Sequence, residues 1–155
     1  MQYAVPLVLL VLTICAFFAV SRYGYAQFGV AQVVLRVVVA LPLVASGVLL
    51  HFLKTGVTAS VIPPVFPART LLAVLTGIFE IAGGVGLFVP EVRRSAALWI
   101  SILMVAIFPA NIFAAGQVVD GLRFPGVPVR LAMQVVYIVL VLLAGYGLPK
   151  PTRPR

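Results

Sequence analysis

Continuous runs of apolar residues, each free of charge or nearly so and bounded by Gly, Pro or basic residues, dominate the pattern along this chain. Because the runs do not alternate between apolar and polar residues, they are unlike the strands of a membrane barrel and predict helices. A membrane-spanning helix needs about 20 apolar residues, and these runs would span about 25 to 36 Å. We predict an all-α transmembrane bundle with helices over residues 4–20, 30–53, 69–89, 95–115 and 129–148.

Composition supports a membrane location. Of the 155 residues, 63% are hydrophobic and 9% are charged. A soluble domain of this length could not bury so much apolar surface, so the expected partner is the lipid bilayer. We expect a single transmembrane domain over 1–155 that ends in a short basic, Pro-rich tail at 149–155.

The charge balance is strongly basic, with 11 Lys and Arg against three acids and a formal net charge of +8. In a soluble protein this excess would suggest a nucleic-acid partner. Here the basic residues lie mainly at the ends of apolar runs, and no basic stripe is interleaved with aromatic residues. We therefore expect no nucleic-acid partner.

Five crossings divide the basic residues between two sides. One side receives Lys54, Arg69, Arg123 and Arg130, and the other receives Arg22, Arg93, Arg94, Lys150, Arg153 and Arg155. Since the more basic side faces the cytoplasm, we predict a cytoplasmic carboxyl terminus and an external amino terminus.

The first apolar run has a second interpretation, as a signal peptide, because Gly24–Ala26 loosely resembles a cleavage site. Residues 1–5 contain no basic side chain, and the first positive charge, Arg22, follows the run. This order favours a retained helix. Cleavage remains open.

Two connections differ in character. The five residues Pro90–Arg94 are short enough to predict a tight antiparallel hairpin between the third and fourth helices. Residues 55–68 carry three prolines among apolar residues, which fits either a segment that caps the bundle at the membrane surface or an ordinary apolar loop.

Polar side chains at membrane depth are the best functional signal, because a charge there is costly and needs a partner. Glu80 lies near the middle of its run and shares a helical face with Gly77 and Gly84, so we expect it to be buried. Arg36 lies within the second run, and we predict an Arg36–Glu80 ion pair. The pair either fixes helix register or serves function; alternatively, Arg36 reaches the headgroups and leaves Glu80 protonated.

A second polar layer is expected toward the outer side. Opposed helix directions bring His51, Asn111 and Gln134 to similar depth, where the two amides could hold the imidazole by hydrogen bonds. Pro109 can open its helix toward this pocket. His51, Asn111 and Gln134 either bind a small molecule or only hold their helices together by hydrogen bonds.

Metal and disulfide chemistry are not expected. His51 has no second His or Cys beside it to complete a metal site, and Cys15 is the only cysteine of the chain. We also find no Gly-rich phosphate loop and no pair of carboxylates placed to share a proton.

Several short motifs together resemble the DoxX-like family of small bacterial membrane proteins. They are Gly47–Phe52, the Pro63–Pro67 loop, Gly77–Glu80, Gly86–Pro90 with Arg93 and Arg94, Phe108–Ile112 and Arg130–Gln134. The resemblance covers roughly Arg36 to Leu148 and implies a core of four transmembrane helices, to which the first helix is an addition. The family pattern often has Pro where this chain has Ala132.

The resemblance also implies a bacterial inner-membrane location and an association with quinone- or thiol-linked redox systems. We expect a membrane subunit that offers Arg36, His51, Glu80, Asn111 and Gln134 to a quinone-like head group or a proton path, and that has no covalently bound cofactor. A separate oxidoreductase subunit would supply electrons. The alternatives are a small proton-coupled transporter or channel and a membrane scaffold without a small ligand.

Overall fold

A computed structural model describes residues 28–147 of the chain. The predicted helix at 4–20 and the tail at 149–155 lie outside the described residues. The described elements are mostly helical, and in chain order they are α1 (Phe28–Ser46), a π-helical segment (Gly47–Leu53), α2 (Thr55–Ser60), α3 (Arg69–Gly86), α4 (Arg93–Ala106), α5 (Phe108–Ala114), β1 (Val118–Val119), β2 (Leu122–Arg123) and α6 (Val127–Tyr146).

Three of these helical stretches are long and apolar enough to cross a membrane: Gly29–Leu53, Arg69–Gly86 and Val127–Tyr146. The stretch predicted as one helix at 95–115 is instead divided into α4 and α5, which are bent by 44° and would form a fourth span if taken together. Pro109 explains the bend, because it has no N–H to donate and its ring clashes with the preceding turn. The chain is therefore a membrane protein with three or four described spans.

The four long helices form a closed ring of contacts. α1 packs against α3 and α6, and α4 packs against the same two helices. A cluster of buried apolar residues from these helices fills the centre: Leu35, Val39, Ala40, Leu43, Leu87, Ala97, Ile100, Leu140, Val141 and Ala144. Large apolar side chains such as Leu41 and Trp99 are exposed on the outside of the ring, as expected of a surface that faces lipid.

Glycines allow the closest helix contacts. A Cβ atom at Gly145 on α6 would lie 2.3 Å from the Ala97 Cβ on α4, and one at Gly83 on α3 would lie 2.4 Å from Ile100 Cγ1. In lipid the hydrophobic effect does not drive helices together. Small residues at the interface instead let the helix backbones approach closely, which strengthens van der Waals packing.

A small β-hairpin departs from the all-α prediction. β1 and β2 are antiparallel, with Val118 opposite Arg123 and Val119 opposite Leu122. Asp120 and Gly121 form the turn, and both have positive φ angles, of 52° and 73°. An Asp-Gly pair with left-handed backbone is the usual two-residue connection of a β-hairpin, which explains this structure in the loop between α5 and α6.

Candidate functional site

His51 lies in the π-helical segment that follows α1, with 7% of its surface exposed. Its Nδ1 atom is 2.6 Å from the Ala73 carbonyl oxygen on α3. Because a carbonyl oxygen only accepts hydrogen bonds, Nδ1 must carry a proton and donate it. Gly77 makes this approach possible, since a Cβ there would be 2.4 Å from the His51 Cβ.

Glu80 lies on the same side of α3 as Gly77 and Gly84, and all three are buried, as the small-residue stripe predicts. Its carboxyl group faces the imidazole, with Oε2 3.6 Å from His51 Nε2. The Ser46 side chain also approaches this carboxyl group. Among the described residues, none makes a hydrogen bond with Glu80 Oε2.

The predicted Arg36–Glu80 ion pair is wrong. Arg36 Nε donates instead to the Ala144 carbonyl oxygen at 3.1 Å. Residue 36 precedes Ser46, which lies beside Glu80, by ten positions, or about 15 Å along a helix. Helical side chains point toward the amino end, so Arg36 extends away from Glu80 rather than toward it.

The predicted hydrogen bonds from Asn111 and Gln134 to His51 are also absent in the described region, although the two amides do meet. Asn111 Nδ2 donates to Gln134 Oε1 at 3.1 Å. Gln134 Nε2 then donates to the Met104 carbonyl oxygen at 3.0 Å. His51 is held instead against α3, because the π-helical segment packs on that helix.

Arg130 also belongs to this second polar group, although the sequence does not mark it as a candidate site residue. Its Nη2 atom donates to Asn111 Oδ1 at 2.6 Å, and its guanidinium carbon lies 5.2 Å from the centre of the Phe124 ring. Arg130 precedes Gln134 by one helical turn in α6, so both lie on one face of that helix. That spacing is the sequence signal that could have identified Arg130.

One cavity of about 530 Å³ connects the two polar groups. His51, Glu80 and Ser46 contribute to its wall, and so do Asn111 and Arg130. Gln134 does not line the cavity, but its Oε1 atom accepts a hydrogen bond from Asn111, which does. The remaining wall is mostly apolar and includes Leu75, Phe79, Leu103, Ile107 and Phe124. This volume and the few polar groups are typical of a small-molecule site.

The segment after the π-helical turn closes part of this cavity. Val57, Thr58, Val61, Ile62 and Phe66 all contribute to the wall. The Pro-rich stretch at 55–68 therefore packs against the helix bundle, which is compatible with the capping interpretation.

The cavity lies within a region that matches a known family. Residues 39–144 match a family model described as "Domain of unknown function (DUF8561)" and make up more than half of the chain. The chain belongs to this family. No curated protein matches it significantly. No solved structure does so either.

The family domain contains every polar residue of the cavity wall, whereas Arg36 precedes its first matched residue. Within residues 28–147, no group of three His, Cys, Asp or Glu side chains is placed to hold a metal ion. The polar side chains of the cavity wall include the titratable pair His51 and Glu80 and the hydrogen-bonding groups Arg130 and Asn111.

Proposed function

We propose that this protein binds the head group of a quinone-like amphipathic molecule in the cavity and exchanges a proton with it through His51 and Glu80. The observation that carries the proposal is the pairing of a buried imidazole and a buried carboxyl group on a largely apolar wall, with Glu80 Oε2 lacking a hydrogen-bond partner among the described residues. An unsatisfied buried oxygen of this kind is costly unless a ligand or water satisfies it.

The arrangement leaves one exchangeable proton between the two side chains. His51 Nδ1 is committed to the Ala73 carbonyl oxygen, so only Nε2 is available to gain or lose a proton toward Glu80. Either the carboxyl group is protonated and faces a bare Nε2, or the carboxylate faces a protonated Nε2. In both cases, the pair can give one proton to a ligand oxygen and take it back.

A redox role follows if the ligand is a quinone. Its reduction to a quinol takes two electrons and two protons. The His51–Glu80 pair gives one proton to a carbonyl oxygen of the ring and regains it from water, and solvent supplies the second proton. The electrons come from a separate oxidoreductase subunit that carries a flavin or a dithiol. The protein is then the membrane subunit of a quinone- or thiol-linked redox system.

We also propose that α1 with the π-helical segment, α3, α4 with α5, and α6 correspond to the four-helix core of DoxX-like proteins. The motifs quoted above support this assignment, and the ring of four packed helices is compatible with it. Residues 4–20 would form an additional helix.

Binding measured in nanodiscs tests the proposed function. A benzoquinone with an alkyl tail is titrated into the purified protein, and heat release gives the dissociation constant. We expect saturable one-to-one binding that Glu80→Gln weakens about tenfold, because one hydrogen bond to the ligand is altered. Glu91→Gln is the matched control, since Glu91 is exposed between α3 and α4. Equal affinities for the two variants, or no saturable binding, would refute the proposal.

A proton-coupled transporter is the second candidate, and helix irregularities at the cavity favour it. The π-helical segment and the bend near Pro109 both adjoin the cavity wall. Interrupted helices are common at the substrate sites of transporters. In proteoliposomes with an internal pH dye, a transporter would acidify the lumen in a Glu80-dependent manner, whereas a quinone-binding subunit would not. A scaffold would show neither transport nor quinone binding.

We propose a bacterial inner-membrane location, with the amino terminus outside and the carboxyl terminus in the cytoplasm. The distribution of basic residues between the two sides supports this orientation. Alkaline phosphatase and fluorescent-protein fusions at each end test it. Two ends on the same side would show an even number of crossings and contradict the orientation.

A further inference from the structure

The Arg130 guanidinium has a buried nitrogen, Nη1, that no group of the described residues binds. Nη2 bonds to Asn111, and the flat face of the guanidinium lies over Phe124. Nη1 is buried and has no hydrogen-bond partner among the described residues. Arg130 also lines the cavity, so this nitrogen belongs to a side chain that a bound molecule would contact.

No acidic side chain of the described region neutralises Arg130. The ion pairs found within residues 28–147 are His51–Glu80 and Lys54–Asp120. The neighbours of the guanidinium are an amide and an aromatic ring, which are neutral. Arg130 as a whole is half-buried, but its Nη1 atom is buried, and a buried donor without an acceptor is unfavourable. An anionic oxygen at Nη1 would form a short, charge-assisted hydrogen bond.

The guanidinium is held in place before any ligand arrives. Gln134 anchors Asn111, and Gln134 is itself fixed to the Met104 carbonyl oxygen. This chain of hydrogen bonds connects α4, α5 and α6. Asn111 and Gln134 are therefore positioning residues. Because the fold already orients the Arg130 side chain, ligand binding loses little conformational entropy in fixing it.

We propose that Arg130 Nη1 binds an anionic oxygen of the ligand, so that the cavity selects amphipathic molecules with an ionised hydroxyl, carboxylate or phosphate group. This inference rests on the proposed binding function and specifies its ligand class. The anionic oxygen has two sources, a free amphipathic acid such as an ionised hydroxyquinone, or the phosphate of an acidic phospholipid. In either case the apolar part of the molecule packs against the apolar wall of the cavity.

A matched pair of probes tests the selectivity in phosphatidylcholine nanodiscs. One probe is a hydroxynaphthoquinone with an alkyl tail, which is ionised at mildly alkaline pH, and the other is its uncharged methyl ether. We expect the wild-type protein to bind the ionised compound about ten- to a hundredfold more tightly, as one charge-assisted hydrogen bond implies. Arg130→Gln should bind both compounds equally. Arg130→Lys should keep part of the preference, because lysine retains the positive charge but lacks the planar guanidinium group with its paired N–H donors.

Arg123→Gln is the matched control, since Arg123 is an exposed basic residue of β2 and should leave the preference unchanged. Addition of phosphatidylglycerol distinguishes the sources: competition that Arg130→Gln abolishes identifies lipid phosphate, and its absence identifies a free amphipathic acid. Equal binding of the two probes by the wild-type protein, or a preference that survives in Arg130→Gln, overturns the inference while the proposed function stands. Failure of both probes and of the neutral benzoquinone overturns the proposed function as well.

Discussion

The contact between the π-helical segment and α3 gives the sharpest prediction about the fold, and Gly77→Ala perturbs it. A Cβ atom at position 77 would lie 2.4 Å from the His51 Cβ and 3.2 Å from the Gly47 carbonyl oxygen. Neither neighbour is the flexible end of a side chain. Alanine therefore fits only if the π-helical segment moves away from α3, which also moves His51 away from Ala73 and Glu80.

The expected loss of stability follows from two opposing effects. Overpacking of a tight contact costs about 1 to 3 kcal/mol. Replacement of Gly by Ala within a helix stabilises the helix by up to about 1 kcal/mol, because Ala has the higher helix propensity. Because the Cβ at position 77 would approach the His51 Cβ to 2.4 Å, the overpacking cost should lie at the upper end of its range, about 2 to 3 kcal/mol. The net loss for Gly77→Ala should then be about 1 to 2 kcal/mol, and the melting temperature should fall by about 2 to 8 °C. Binding of the alkyl benzoquinone should weaken too, because His51 is displaced.

Thermal unfolding in detergent, followed by the fluorescence of Trp99, measures this loss because Trp99 is the only tryptophan of the chain. Gly56→Ala is the control, since Gly56 lies in α2 and a Cβ there would have no atom within 4 Å. That variant should be as stable as the wild type or slightly more stable. A Gly77→Ala protein that melts no lower than the Gly56→Ala protein would refute the close contact.

Three further predictions concern polar side chains. The effects of Arg36→Leu and Glu80→Gln on the melting temperature should be additive in the double variant, because the two residues do not touch; a coupling above about 0.5 kcal/mol would contradict this. Asn111→Ala should lower the free energy of unfolding by about 1 to 3 kcal/mol, since the half-buried Gln134 and Arg130 lose their hydrogen bonds to Asn111 and one of these bonds involves a charged group; an unchanged melting curve would argue against the network. Lys54→Ala breaks an exposed pair with Asp120 and should cost less than about 1 kcal/mol in the same assay, so a larger loss would mean that the hairpin stabilises the bundle.

The positions of the helices can be predicted from the sequence more completely than the local geometry of the site can. Continuous apolar runs predict the long helices, because a bilayer leaves few other structures available to the backbone. The spacing of Gly77, Glu80 and Gly84 predicts a buried carboxyl group, since three small or polar residues share one helical face. The meeting of Asn111 and Gln134 follows from their similar depth on oppositely directed helices.

The partners of the charged residues could not be predicted from spacing alone. Helical spacing places Gly47 and His51 on one face of their helix, but it does not tell which neighbouring helix that face contacts. In the structure, both residues contact α3 at Gly77. His51 therefore pairs with Glu80 rather than with the two amides. Arg130 was missed because a basic residue near the start of a span is expected to anchor the helix at the membrane surface.

The protonation of the two ring nitrogens of His51 tests the proposed proton exchange with Glu80 directly, and ¹⁵N NMR spectroscopy in nanodiscs measures it. His51 is the only histidine of the chain, so protein purified without a histidine tag gives one pair of imidazole resonances. We predict a protonated Nδ1 in every state, and an Nε2 resonance that shifts both on addition of the alkyl benzoquinone and in Glu80→Gln. An unprotonated Nδ1, or an Nε2 resonance that responds to neither change, would contradict the proposed pairing of His51 with Glu80 and the ligand.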